Sequence, residues 1–250
     1  MFRDQVLRRI PLLQPLPQEG PVNPHDTAGS GVLRPVVFGA NDGLVSNLAL
    51  VMGVAGASAA PGVIVLAGIA GLLAGAFSMG VGEYVSVQSQ QELLAFQTEF
   101  QRRQLRDDPD QERRILEGIY RERGFTQEEA AHFVDRVFAD PEHAVSLLLH
   151  EEVGLDARSI GSPVGAAVGS FIAFTIGALI PLVPFLLLSG STAFATSVVA
   201  SLVALALLGF GISRLTHRPA LFSSVRQVLL GGVAAAVTFG VGVLVGVNAG

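Results

Sequence analysis

Three side chains in the apolar parts of the sequence have the chemistry to hold a metal ion: the carboxylates of Asp42 and Glu83 and the thioether of Met79. Asp42 and Glu83 are the only acids in the stretches predicted below to cross a membrane. A charged side chain at mid-helix costs on the order of 2.5–3.5 kcal/mol to insert, which makes such an acid a functional candidate. An anionic oxygen beside a thioether suits a borderline divalent metal, because the sulfur disfavours hard ions. The three residues therefore indicate a transit site for such a metal.

The spacing along the chain places these residues at similar depth. Asp42 lies roughly 9 Å into the first predicted span, and Met79 lies roughly 8 Å from the inner end of the second, at about 1.5 Å per helical residue. A short connection makes these two spans an antiparallel hairpin. Glu83 lies four residues after Met79, so both share a helix face, with Glu83 nearer the cytoplasm. Four neutral oxygen donors lie close in the sequence: Asn41, Ser46, Asn47 and Ser78.

Each candidate also has a simpler interpretation. Asp42 could make a hydrogen bond between packed helices, Met79 could be ordinary packing, and Glu83 could be solvated at the membrane surface.

The composition is that of a membrane protein with one polar segment. Of the 250 residues, 50% are hydrophobic and 15% are charged, where about 25% charged is usual for soluble domains. Most of the charged side chains lie between residues 86 and 160. The absence of cysteine excludes disulfides, iron–sulfur clusters and thiolate metal sites. The net charge of −5 argues against nucleic acid as a partner.

The fold class predicted is an all-α membrane protein with five transmembrane helices and a helical cytoplasmic insert between spans 2 and 3. A span needs about 20 mostly apolar residues. Five stretches qualify: 36–56, 62–84, 164–188, 192–212 and 228–247. The glycines Gly242 and Gly246 of the fifth span predict close helix packing, more within the chain than at a dimer face.

The placement of arginine predicts the orientation of these spans. Arginines occur in the N-terminal tail and in the connection after the fourth span, and these segments face the cytoplasm by the positive-inside rule. The C-terminus is then on the far side. The chain divides into a cytoplasmic tail (1–35), a transmembrane hairpin (36–85), a cytoplasmic acidic helical domain (86–160) and spans 3–5 (161–250).

The acidic insert carries several helix signals. A helix is predicted over 87–105, and the sequence around Pro109 marks a break and a new start. That second helix ends at Gly124, and Thr126 and Glu129 form a capping box for the next. Asp140-Pro141 opens a fourth helix to about Glu152.

Histidines in the insert raise two weaker possibilities. Glu129 and His132 have the spacing used by di-iron helices, but only one such motif is present, so a solvated face with a capping glutamate is favoured. His143 and His150 share a helix face near Glu151, where a solvated acidic face is again favoured over a weak metal or proton-sensing site.

The residues in the first two spans resemble the vacuolar iron transporter family. The resemblance rests on Asn41-Asp42-Gly43 in the first span and Ser78-Met79-Gly80 in the second, each within a longer matching stretch, and it covers about residues 33–250. It implies a homodimer in the lipid bilayer that exports Fe²⁺ or Mn²⁺ from the cytoplasm in exchange for protons. Asp42 and Met79 match the transmembrane metal-pathway residues of the family. No cofactor is implied other than the transported ion.

The insert departs from the family pattern at several ligand positions. Glu112 and Glu152 match glutamates of the family's cytoplasmic metal site. Five other ligand positions are occupied by residues that are not acids or methionines: Gln101, Gln104, Ile115, Leu148 and Leu149. In the membrane, Pro35 and Gly71 stand where relatives place further acids.

The leading hypothesis is therefore a transporter, not an enzyme, in which Glu112 and Glu152 gather the metal and Glu83, Asp42 and Met79 pass it through the membrane. The ligand types do not separate iron from manganese. The membrane would be the cell membrane in a prokaryote or the vacuolar membrane in a eukaryote. Two rivals stay open: a membrane-anchored metal-binding or sensing protein without transport, and a membrane enzyme using the Glu129/His132 face.

Overall fold

The computed structural model describes residues 24–153, 161–216 and 218–249, and this part of the chain contains helices and no strand. The α-helices are numbered here in chain order, and a π-helical turn, Leu149–Val153, follows the fifth. Their bounds are α1 Pro24–Gly56, α2 Pro61–Asp107, α3 Pro109–Glu122, α4 Gln127–Phe138, α5 Pro141–Leu148, α6 Pro163–Leu187, α7 Gly190–Thr216 and α8 Ala220–Ala249.

Five of these helices, α1, α2, α6, α7 and α8, are long and apolar enough to cross a membrane, which confirms the predicted fold class. The helices extend beyond the predicted spans. The last part of the predicted tail, residues 24–35, is helical because α1 begins at Pro24, and the cytoplasmic location of the tail stays a prediction. Proline fits the first turn of a helix, where its missing N–H would have no intrahelical partner.

The second span and the first insert helix form one continuous helix of 47 residues, Pro61–Asp107. The sequence between residues 85 and 107 contains neither glycine nor proline, so nothing in it ends the helix. The helix ends only before Pro109. Residues of α2 in the membrane are therefore connected to the insert by an unbroken backbone hydrogen-bond ladder.

In the membrane region α1 is the central helix, in contact with α2, α6, α7 and α8. Small residues allow the backbones to approach closely. A Cβ atom on Gly246 of α8 would lie only 2.9 Å from the Cα of Ala57, directly after α1. Gly242 and Gly246 of the fifth span therefore pack within the chain, as the sequence favoured.

The insert packs around its own apolar core, which consists of Leu116, Val134, Val137, Ala144 and Leu148. The predicted capping box is confirmed: the Thr126 hydroxyl accepts from the Glu129 N–H at 3.3 Å, and the Glu129 carboxylate accepts from the Thr126 N–H at 2.9 Å. The last predicted helix divides in two, because the α-helix ends at Leu148 and the π-helical turn follows.

Candidate functional site: a groove between the first two spans

The orientation of Asp42 is set by the packing of α1 on α6. Gly43 lies against the backbone of Phe174, where an added Cβ would come within 2.9 Å of the Phe174 Cα. One turn later the Asn47 side chain is buried and donates a hydrogen bond to the Ala178 carbonyl at 2.7 Å. Because Gly43 and Asn47 occupy the face toward α6, the neighbouring position 42 lies on a different face of α1.

The face of α2 that carries Met79 is positioned in the same way. Leu72 and Ala76 are buried against α6 in a cluster that includes Phe174, and Met79 packs at the edge of this cluster. Gly75 makes room for the aromatic ring of Phe174, since a Cβ there would lie 2.6 Å from a ring carbon. Met79 is thus fixed on its inner side by apolar contacts.

Asp42, Met79 and Glu83 meet in a groove of about 350 Å³ between α1 and α2. All three are half-buried. The structure therefore brings together the three membrane residues that the sequence singled out. The complete lining of the groove is Phe38, Asp42, Gly75, Ser78, Met79, Gly82, Glu83 and Ser86.

The groove offers a divalent cation two carboxylates, one thioether and the hydroxyls of Ser78 and Ser86. Within the part of the chain that the structure describes, no arginine or histidine forms an ion pair with Asp42 or Glu83. A carboxylate at membrane depth without a counter-ion is stable only if it takes up a cation or a proton. The groove therefore has the chemistry to exchange a bound cation for a proton.

The neutral oxygen donors predicted nearby have different positions. Ser78 lines the groove, and the Ser46 hydroxyl donates to the Asp42 backbone carbonyl one turn earlier. Asn47 faces α6, and Asn41 does not line the groove. Ser86 was missed by the sequence reasoning, although it lies seven residues after Met79, the spacing of two helical turns that shares a face.

The insert glutamate Glu112 lies apart from the groove. Its side chain is 1% exposed and belongs to the interior of the insert, where Gln101 is also buried. The predicted site residue Glu152 is on the π-helical turn, and its side chain lies outside the described residues. Among the residues described, no group of three or more histidine, aspartate or glutamate side chains is close enough to hold a metal ion.

The other acids considered in the insert are engaged in structural contacts. Glu129 accepts hydrogen bonds from the N–H and the hydroxyl of Thr126, which lower its pKa. The Glu151 side chain, only 6% exposed, forms an ion pair with Arg123 and accepts a hydrogen bond from Tyr120 at 3.2 Å. Burial, together with the charge of Glu151, raises the pKa of Tyr120. These contacts account for Glu129 and Glu151 without a metal.

The similarity of this chain to known proteins extends over the membrane-spanning helices and the insert. Residues 33–243 match the sequence model of the VIT family. Two rice proteins, vacuolar iron transporter 1 and vacuolar iron transporter 2, are 30% and 32% identical to this chain; each match covers 86% of this chain, and 86% and 88% of the respective relative. The vacuolar iron transporter of Toxoplasma gondii is 30% identical over 88% of this chain and 76% of its own length.

Proposed function

Because the chain belongs to the VIT family, a family of membrane transporters, we propose that it exports a divalent transition metal, Fe²⁺ or Mn²⁺, from the cytoplasm in exchange for protons. The observation that carries this proposal is the groove. The Asp42 carboxylate meets the thioether of Met79 and the carboxylate of Glu83, which lie on a different helix, at membrane depth with no cationic partner among the described residues.

The groove suggests how exchange proceeds. A carboxylate binds either a metal ion or a proton, so competition between the two couples their movements without a separate energy source. Glu83 is one helical turn closer to the insert than Met79 and receives the metal first. Asp42 and Met79 bind it next, and protons entering from the far side displace it. The metal is cargo, so no resident cofactor is required.

A second copy of the chain completes the site in this proposal. The groove opens at the side of the helix bundle, where the ring of Phe38 at its edge is 59% exposed and Phe77 and Val81 of α2 are also exposed. Carboxylates facing lipid are costly, whereas a twofold dimer would place the groove of one protomer against that of its partner. The homodimer thereby encloses the pathway.

The insert supplies the metal in this scheme. The N-terminus and insert face the cytoplasm and the C-terminus faces the far side, as the arginine distribution predicts. Glu152 acts as a collecting ligand for metal on the cytoplasmic side, and Glu112, whose side chain is 1% exposed, binds only metal that enters the interior of the insert. The apolar and amide residues at the other family ligand positions imply loose binding, sufficient for transfer to Glu83.

The test is metal uptake by proteoliposomes with an imposed pH gradient, measured for Fe²⁺ and Mn²⁺ in parallel. Asp42→Asn keeps the size of the side chain but removes its charge, and it should reduce uptake at least tenfold. Glu117→Gln, which changes an acid of the insert outside the groove, is the matched control and should transport normally. Wild-type uptake by Asp42→Asn would refute the pathway. Metal binding without uptake by the unmodified protein would instead identify a membrane-anchored binding protein.

A further inference from the structure

A second cavity lies in the insert, far from the groove. It has a volume of about 410 Å³, within the range of small-molecule sites, and is formed where the end of α2 meets α3, α4 and α5. Nine residues line it: Arg102, Leu105, Arg106, Pro109, Arg113, Phe138, Pro141, Glu142 and Val145. We call this cavity the arginine pocket. Its walls are apolar, and three guanidinium groups open onto it.

The three arginines differ in how they are held. Arg102 pairs with both carboxylate oxygens of Glu142, at 3.1 and 2.7 Å. Arg113 pairs with Asp135, and its guanidinium carbon lies 4.8 Å from the centre of the Phe138 ring. Arg106 is exposed, and no residue in the described part of the chain makes a hydrogen bond or ion pair with it.

The acids that pair with these arginines are exchangeable. The side chains of Glu142 and Asp135 are 70% and 66% exposed, and ion pairs this exposed contribute only about 0–1 kcal/mol, with the two-point pair of Arg102 and Glu142 at the upper end of that range. A stronger anion can therefore replace them at little cost. The neighbouring acids Asp108 and Asp140 are already engaged, since each caps the N-terminus of the helix that follows it.

The charge and shape of the arginine pocket define the ligand class. With Glu142 and Asp135 in place the three arginines leave about one net positive charge, and displacement of one of these acids raises it to about two, which matches the charge of a phosphate monoester near neutral pH. Guanidinium groups also match phosphate oxygens in geometry. The apolar walls formed by Leu105, Phe138 and Val145 fit an organic group attached to that phosphate.

The position of the arginine pocket separates it from the bilayer. Arg102 lies 19 residues after Glu83 on the same continuous helix, which corresponds to roughly 28 Å. The polar zone of a bilayer extends only about 5–8 Å beyond the hydrocarbon core. A soluble ligand is therefore favoured over a lipid headgroup.

We propose that the arginine pocket is a binding site for a small soluble organophosphate of about mononucleotide size. Arg102 and Arg106 lie at the end of α2, Arg113 lies on α3 and Glu142 lies on α5. A bound ligand would therefore link these three helices. This assignment is independent of the transport proposal, because the arginine pocket and the groove share no residue.

The experiment is isothermal titration of the full-length protein in lipid nanodiscs with AMP and phenyl phosphate, and with adenosine and inorganic phosphate as partial ligands. At least one of the two organophosphates should bind, and both partial ligands should bind at least tenfold more weakly than it does. Arg106→Gln should weaken binding about tenfold or more. Because Arg106 has no hydrogen-bond or ion-pair partner among the described residues, this variant removes no native hydrogen bond or ion pair. Glu142→Gln should tighten binding, since it releases Arg102.

The matched control is Arg103→Gln on the adjacent position of α2. Arg103 is 68% exposed, pairs with Glu99 and does not line the arginine pocket, so its replacement should leave binding unchanged. The proposal is overturned if neither organophosphate binds at about 1 mM. It is also overturned if adenosine or inorganic phosphate binds as tightly as the organophosphates, or if Arg103→Gln weakens binding as much as Arg106→Gln does.

Discussion

Gly43 is the residue on which the position of Asp42 depends most directly, so Gly43→Ala should disturb both stability and transport. A Cβ atom at this position would lie 2.9 Å from the Cα and 2.8 Å from the carbonyl carbon of Phe174. Carbon atoms in contact are normally about 3.5–4.0 Å apart. Both Phe174 atoms belong to the backbone, so no side chain can move aside, and α1 and α6 must separate by about 1 Å.

The expected cost is about 1–3 kcal/mol, the usual range for overpacking in a well-packed interior. The gain from replacing glycine by alanine within a helix, about 1 kcal/mol, offsets only part of it. Separation from α6 also moves position 42 relative to Met79, which α6 holds through Phe174. Thermal unfolding in detergent should therefore begin at lower temperature, and metal uptake in proteoliposomes should fall.

The matched control is Gly240→Ala in α8, where an added Cβ would have no atom within 4 Å. This variant should be as stable as the unmodified protein or slightly more stable. If Gly43→Ala unfolds at the same temperature as Gly240→Ala, the backbone contact between α1 and α6 does not set the position of Asp42, and the reasoning fails.

Three further predictions concern single contacts. Met79→Leu should preserve folding but weaken the discrimination against Mg²⁺ in uptake assays, because it removes the sulfur ligand. The control is Met52→Leu, in the buried cluster of α1, which should leave the metal selectivity unchanged. Thr126→Ala should cost about 1 kcal/mol in unfolding measurements, because the helix loses its capping hydroxyl. The pKa of Glu129 is lowered in the folded state by the Thr126 N–H and, to a smaller extent, by the Thr126 hydroxyl, so its contribution is present at neutral pH and is lost as the pH falls through that pKa. Alanine keeps the N–H, so this acid-dependent loss should be smaller in the variant but still present. Arg123→Gln should destabilise the protein by about 2 kcal/mol, because the buried Glu151 loses its partner, whereas the exposed Arg103→Gln should be neutral.

Much of the fold follows from local sequence patterns. Runs of apolar residues predict the five spans, because backbone polar groups in lipid must be satisfied within a helix. The capping box at Thr126 and the break before Pro109 are equally local and were confirmed. The start of α1 at Pro24 was not predicted, because Gly29, Gly31 and Pro35 interrupt the helical pattern and the predicted apolar span begins only at Val36.

The site was predictable only in part. A buried acid is conspicuous in an apolar stretch, and helical spacing relates Met79 to Glu83. The distribution of Asn41, Ser46 and Asn47 was not predictable in this way, because it depends on which face of α1 packs against α6. That choice follows from Gly43, whose missing side chain permits the close approach, and its partner Phe174 lies far along the chain.

The apolar interior of the insert leads to a prediction about metal removal. Leu148 is fully buried and packs with Leu116, Val134 and Val137, and Leu149 is also buried, so two positions at which the family resemblance implies metal ligands contribute to packing here. Burying a leucine stabilises by roughly 1.5–3 kcal/mol, without a metal. A chelator should therefore leave the unfolding temperature of the full-length protein unchanged. A ligand stabilises the folded protein appreciably only when its concentration exceeds its dissociation constant. A weakly bound transported metal therefore adds little to the stability of the protein at micromolar concentration. A fall of several degrees on chelation would show instead that a bound metal stabilises the fold, contrary to this prediction.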